Sequence, residues 1–153
     1  VQQFRETLDE MTRLNRVLQA IRPFLLRSDV GYRGQVRMAT EPDKLDVMSL
    51  LGERAALVFV TNYAYEMHPK GYRFREQKNV TVVARLPNWL KAIDVFAVTP
   101  DGVKPVTWHL EKGHVRLTWR TLEEHVALAV VASDGQARQQ IVQVFRQLAS
   151  SPE

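Results

Sequence analysis

With 153 residues, 45% of them hydrophobic and 25% charged, the chain has the size and apolar content of one self-supporting domain, and its lack of cysteine excludes disulfides, zinc–thiolate sites and thiol nucleophiles. The net charge of +4 is concentrated, because residues 68–91 carry six basic residues against one acidic while the remaining segments are close to balance. No apolar run approaches the roughly 20 residues that a bilayer requires, no charged leader opens the chain, and Val1 leads directly into a helical pattern, so the sequence reads as a soluble piece of a longer polypeptide.

Phe4, Leu8, Met11, Leu14, Leu18, Ile21 and Leu25 recur at intervals of three and four, with Arg5, Asp9, Glu10, Arg13 and Arg16 between them. This spacing predicts an amphipathic helix over residues 1–27. Its apolar stripe is expected to be buried, and Leu14→Ala or Leu18→Ala should each cost about 2–5 kcal/mol if the stripe packs on the same domain. Pro23 lacks a backbone donor and crowds the preceding turn, so the helix should end or kink near Arg22. Residues 28–44, with Gly31, Gly34, Pro42 and Asp43, read as a connector holding a brief extended piece near 36–39.

From residue 45 the period changes. Residues 45–50 and 55–62 are short apolar runs on either side of Gly52, Glu53 and Arg54, the pattern of a hairpin. After a polar excursion over 63–78, Val80, Val82 and Ala84 alternate with Thr81, Val83 and Arg85. Further strands are predicted at 93–98, 103–110, 114–119 and 126–131, separated by Pro100-Asp101-Gly102, Glu111-Lys112-Gly113 and Glu123-Glu124. Ser133 and Gln136 form a capping-box pattern ahead of a second stripe, Ala137, Ile141, Val144, Phe145 and Leu148. The predicted fold is therefore mainly β: an antiparallel β-sandwich of about seven strands over 45–132, flanked by the N-terminal amphipathic helix and a short C-terminal helix over 133–150.

Chemistry-bearing patterns are sparse. The adjacent acidic pair Glu123-Glu124 lies in a turn, where neighbouring side chains diverge instead of facing each other across a cleft. No serine has glycine on both sides, and the seven glycines form no phosphate cradle, so no catalytic residue and no cofactor is assigned. His109 and His114 flank the Glu111-Lys112-Gly113 turn with Glu111 beside them, but two imidazoles in a turn fall short of the three or four fixed ligands of a transition-metal site, and no metal is assigned. The unusual composition is local. Tyr63, Tyr65, Lys70, Tyr72, Arg73 and Arg75, with the loop residue Trp89, interleave aromatic rings with cations and form the candidate ligand-binding surface; its structural alternative is an edge strand whose cations discourage pairing.

A helix ending in Leu18-Gln19-Ala20-Ile21-Arg22-Pro23-Phe24-Leu25, a strand ending in Val58-Phe59-Val60-Thr61-Asn62-Tyr63, the segment Val82-Val83-Ala84-Arg85-Leu86-Pro87-Asn88-Trp89-Leu90 and the meander to Val131 follow in that order. This order resembles the region after the catalytic (β/α)8 barrel in glycoside hydrolases of the amylase and galactosidase type, over nearly the whole chain. The resemblance implies a non-catalytic accessory domain that buttresses a barrel and contacts glycan weakly. The upstream catalytic domain of the same polypeptide and a carbohydrate would be its partners, and the setting would be secreted or periplasmic. No catalytic residue carries over. The long basic-aromatic excursion after Asn62 and the closing helix depart from the commonest version of the pattern. The competing reading is a stand-alone module that holds an anionic polymer or polysaccharide through residues 63–91; carbohydrate is preferred to nucleic acid as the ligand, and no membrane partner is expected.

Overall fold

The structure is a computed structural model that describes residues 2–31, 35–39, 44–69, 71–122 and 125–150, with residues 2, 3, 65, 66, 68 and 71–74 described by their backbone alone. In chain order the elements are α1 (Gln2–Leu25), β1 (Ser28–Val30), β2 (Val36–Met38), β3 (Leu45–Gly52), β4 (Ala55–Asn62), β5 (Tyr65–His68), β6 (Gly71–Phe74) and β7 (Gln77–Arg85). They continue with β8 (Asp94–Thr99), β9 (Gly102–Lys104), β10 (Thr107–Glu111), β11 (His114–Leu122), β12 (Val126–Ala132) and α2 (Gln136–Ser150). Every strand pairing is antiparallel, in a six-stranded sheet β1-β3-β4-β12-β8-β9, a four-stranded sheet β10-β11-β7-β2 and a separate two-stranded ribbon β5-β6. The mainly β architecture with a helix at each end is as expected.

Two cores share the six-stranded sheet. Val58, Val60, Val95, Ala129 and Val131 on one face meet Val80, Val82, Val115 and Leu117 of the four-stranded sheet. On the other face Leu57, Phe96, Leu128 and Val130 meet Ala20, Ile21 and Phe24 of α1 and Ala137 and Ile141 of α2. The sandwich thus carries a third, helical layer. A strand buried on both faces has no polar side to alternate with, and β4 and β12 are accordingly near-continuous apolar runs, buried along most of their length.

Three local readings are corrected, and one alternative, a strand within the polar excursion, is realised. The expected strand over 103–110 is two strands in different sheets, because Pro105 has no N–H to continue a ladder and the chain crosses there from β9 to β10. The polar excursion forms the β5-β6 ribbon, whose root is held by buried Asn62: its side-chain amide donates to the Arg75 carbonyl at 2.8 Å and its Oδ1 accepts from the Ala64 N–H at 2.9 Å. The cap of α2 is Asp134, whose Oδ1 accepts from the N–H groups of Gln136 and Ala137, while the Ser133 hydroxyl donates to the Arg54 carbonyl. Pro23 lies inside α1, which continues through Leu25 with Leu26 N–H bonded to the Arg22 carbonyl at 3.0 Å; so close to the helix end, one missing donor costs one bond.

The largest correction concerns the stripe of α1. Ile21 is buried, but Phe4, Leu8, Met11, Leu14 and Leu18 are 67%, 45%, 62%, 56% and 43% exposed. The residues that pack on the sheet are Ala20, Ile21 and Phe24, with Val17 and Leu25 at their margin. At about 100° per residue this packed face and the exposed stripe lie roughly 120° apart around the helix axis. Farther back, α1 is tied to the sandwich by Arg13, whose guanidinium lies 3.5 Å from the Asp101 carboxylate across open solvent. Water and salt screen such a pair, so it orients the helix more than it stabilises it.

Candidate functional site

The backbone register distributes the basic-aromatic segment over two faces of the β5-β6 ribbon. Tyr65 pairs with Phe74, Glu66 with Arg73 and Met67 with Tyr72, so the register places Tyr65, Met67, Tyr72 and Phe74 at positions of one ribbon face and Glu66 and Arg73 at positions of the other. Tyr63, 47% exposed, precedes β5; Arg75 is exposed and follows β6; Lys70 lies outside the described residues. Trp89 is 60% exposed in the loop after β7. It is separated from the ribbon by the whole nine-residue strand β7, roughly 26 Å of extended chain. No single ligand ring spans that distance.

The hairpin histidines are diagonal neighbours on one face of the β10-β11 ladder, not directly opposite each other. His109 stands opposite Arg116 and His114 opposite Glu111 across the β10-β11 ladder. The Glu111 carboxylate accepts from Arg116 at 3.2 Å and lies 3.8 Å from His109, while His114 Nδ1 is 3.0 Å from the Lys112 carbonyl. Lys112 and Gly113 both have positive φ, the geometry of a two-residue primed turn. Among the described residues no three His, Asp or Glu side chains cluster as metal ligands, and Glu123 and Glu124 fall outside those residues.

Two buttresses fix α2 to the sheet. Arg138 donates two bonds of 2.8 Å to Asp94 and lies over the Phe96 ring at 4.8 Å. Arg54 donates to Asp134 at 3.0 Å and to Gln140 at 3.1 Å, and lies 5.4 Å from the Phe24 ring. The hydrogen bonds from Arg138 hold the Asp94 carboxyl below its usual range against the opposing effect of desolvation, and those from Arg54, then from the α2 N–H groups, do the same for Asp134. A depressed folded-state pKa contributes stability that is complete above the unfolded carboxylate value and is lost as pH falls through the folded one. Stability should therefore hold from neutrality to about pH 5 and decline below about pH 4. In Asp94→Asn the acid decline should be shallower and neutral stability lower by about 1 kcal/mol, allowing for solvent screening of the half-exposed arginine. Urea titrations at several pH values check this, and parallel acid limbs in the two proteins would contradict it.

Among the cavities on the described surface, two concern the site. The larger, 560 Å³, lies between the end of α1, the β3-β4 turn and α2, with Phe24, Leu26, Ala55 and Val144 in its walls. Arg27, Glu53, Arg54 and Gln140 also line it, and Arg54 is already committed to Asp134 and Gln140. The smaller, 310 Å³, opens at the edge of the sandwich where β8 and β9 approach β11, with Trp119 and Thr121 on one side and Asp101 and Lys104 on the other. Trp119 falls at the end of the strand expected over 114–119. Its separation in sequence from Asp101 and Lys104 hides a neighbourhood that only the pairing of β12 with β8 creates.

No family model and no curated protein sequence matches the chain. Solved structures do. The fold is similar to part of a cycloisomaltooligosaccharide glucanotransferase from Paenibacillus sp., solved with cycloisomaltoheptaose, at a TM-score of 0.54 and 12% identity over 78% of this chain and 20% of that one. Alpha-L-fucosidase isoenzyme 2 from Paenibacillus thiaminolyticus also matches, at a TM-score of 0.49 and 15% identity over 68% of this chain and 16% of that one. At these identities the likeness is one of fold, and this chain spans a fifth or less of either enzyme.

Proposed function

We propose that this chain is a non-catalytic accessory domain of a larger carbohydrate-active enzyme, and that the exposed stripe of α1 is the surface on which it seats the catalytic domain. The observation that carries this reading is the stripe itself: five large apolar side chains, each 43–67% exposed, on a domain whose two cores are filled without them. A contiguous apolar strip of several turns is of the size that marks an interaction surface. Its area, of the order of 500 Å², is below the roughly 800 Å² per partner of a stable free complex. A tethered partner needs less, because the linker supplies a high effective concentration. The fold likeness to a fifth of a glucanotransferase supports a carbohydrate-active parent. The competing polyanion module would draw on Lys70, Arg73, Arg75 and Lys78, and the remaining cations of residues 63–91, Arg85 and Lys91, lie at and beyond the far end of β7.

Because the chain has no cysteine, Met11→Cys introduces its one thiol. Maleimide labelling at position 11, read by peptide mass spectrometry, should be fast in the 153-residue chain and at least about tenfold slower in the longer polypeptide, where the stripe is covered. Equal rates in the two proteins would overturn the docking assignment. Turnover of aryl glycosides by the purified 153-residue chain would overturn the non-catalytic one.

A further inference from the structure

We infer that the cleft between Trp119 and the β8-β9 turn binds one neutral pyranose ring. The choice of a carbohydrate rests on the accessory-domain reading above; the position and polarity of the cleft come from the structure alone. Trp119 is half-buried, packed against the core between the sheets while also lining the cleft. An indole held by its core contacts is a rigid platform, and an apolar C–H face of a sugar ring stacks on it at little entropic cost. The back of the cleft is formed by buried Ala97 and Leu128, and its volume of 310 Å³ is at the lower end of the roughly 300–1,000 Å³ of small-molecule sites. One ring fits inside, with any further residues of a chain outside.

The mouth supplies what hydroxyl groups need. Asp101 only accepts hydrogen bonds, Lys104 only donates them, and Thr121 does both. A vicinal diol, donor and acceptor at each oxygen, satisfies all three. A carboxylate and an ammonium at one mouth, the carboxylate also facing Arg13, offer hydroxyl groups both an acceptor and a donor. Among the described residues, no hydrogen bond or ion pair engages the side chain of Lys104 or Thr121. The turn itself is held: the Thr99 hydroxyl accepts from the Asp101 N–H at 3.2 Å and donates to the Gly102 carbonyl at 3.0 Å, and Gly102 adopts a φ of +120°, which side-chain-bearing residues rarely reach. The Asp101 carboxylate also lies 3.5 Å from the exposed Arg13 guanidinium of α1, a solvent-screened pair that leaves it open to a ligand hydroxyl.

The three tryptophans give three indole N–H resonances, one each for Trp89, Trp108 and Trp119. The 153-residue chain would be titrated with isomaltoheptaose, maltoheptaose, cellohexaose and mannohexaose, and separately with heparin as a polyanion. The Trp119 resonance should shift saturably with at least one neutral oligosaccharide, with an affinity unchanged in about 0.5 M salt. Lys104 is exposed and Thr121 half-buried, and neither side chain bonds to another described residue, so Lys104→Met and the isosteric Thr121→Val keep the fold; each should weaken that affinity about tenfold, through loss of a hydrogen bond to the sugar. Trp89→Ala should leave it unchanged. A Trp119 resonance unmoved by all four sugars, a response to heparin alone, or surface variants that bind as the parent does would each overturn the assignment. None of these results alters the labelling rate at position 11, so failure of the sugar site and failure of the docking reading are separately visible.

Discussion

Phe96→Ala should destabilise the protein by about 3–5 kcal/mol. Phe96 is fully buried on the helix-facing side of β8, in the second core with Leu57, Ile21 and Ile141 and under the Arg138 guanidinium. Truncation would remove the ring's transfer free energy and leave a cavity that the β8-β12 ladder, paired from Asp94 to Val98, cannot close by shifting. It would also take away the ring over which Arg138 lies. Phe96→Leu keeps most of the volume and should cost about 1–2 kcal/mol. Urea denaturation measures both; a loss below about 1 kcal/mol for the alanine variant would mean that the helical layer does not pack tightly on the sheet.

The two parts of α1 should respond differently to the same kind of truncation. Ile21→Ala, in the packed part, should cost about 2–5 kcal/mol, which for a domain of this length lowers the melting temperature by roughly 5–15 °C. Leu14→Ala and Leu18→Ala, in the exposed part, should stay within about 0.5 kcal/mol of the parent, because side chains already in water lose little on truncation and alanine favours the helix. This replaces the larger cost expected from the heptad-like spacing alone. A loss above about 2 kcal/mol at Leu14 would show the stripe packed within this chain, and the docking surface would have to be sought elsewhere.

The candidate site was less legible than the fold, for a local reason. Tyr63, Tyr65, Tyr72, Arg73 and Arg75 attract notice because aromatics and cations alternate in sequence, yet alternation in a hairpin sends successive residues to opposite faces, and Trp89 follows a nine-residue strand that carries it away. The Trp119 cleft has the converse character. Asp101, Lys104 and Thr121 are ordinary turn and strand residues, without a motif, and acquire a shared concavity only when β12 sits beside β8 and the two sheets close.

What the sequence determined by itself is the content of local pattern. Apolar runs bounded by Gly52-Glu53-Arg54 and by Glu111-Lys112-Gly113 specify hairpins, since turn chemistry and strand period act over a few residues. The spacing of three and four over residues 4–25 specifies a helix, because the helix period is a property of the backbone. Only the tertiary structure decided which part of that helix is covered, that Pro105 divides one apolar segment between two sheets, that Asp134 caps α2 in place of Ser133, and that the six-stranded sheet is buried on both faces. Each of these depends on which distant surface arrives to remove water from an apolar side chain or to meet a polar one. Periodicity records that a face is apolar; burial needs a second surface, and for Phe4, Leu8, Met11, Leu14 and Leu18 the described chain supplies none.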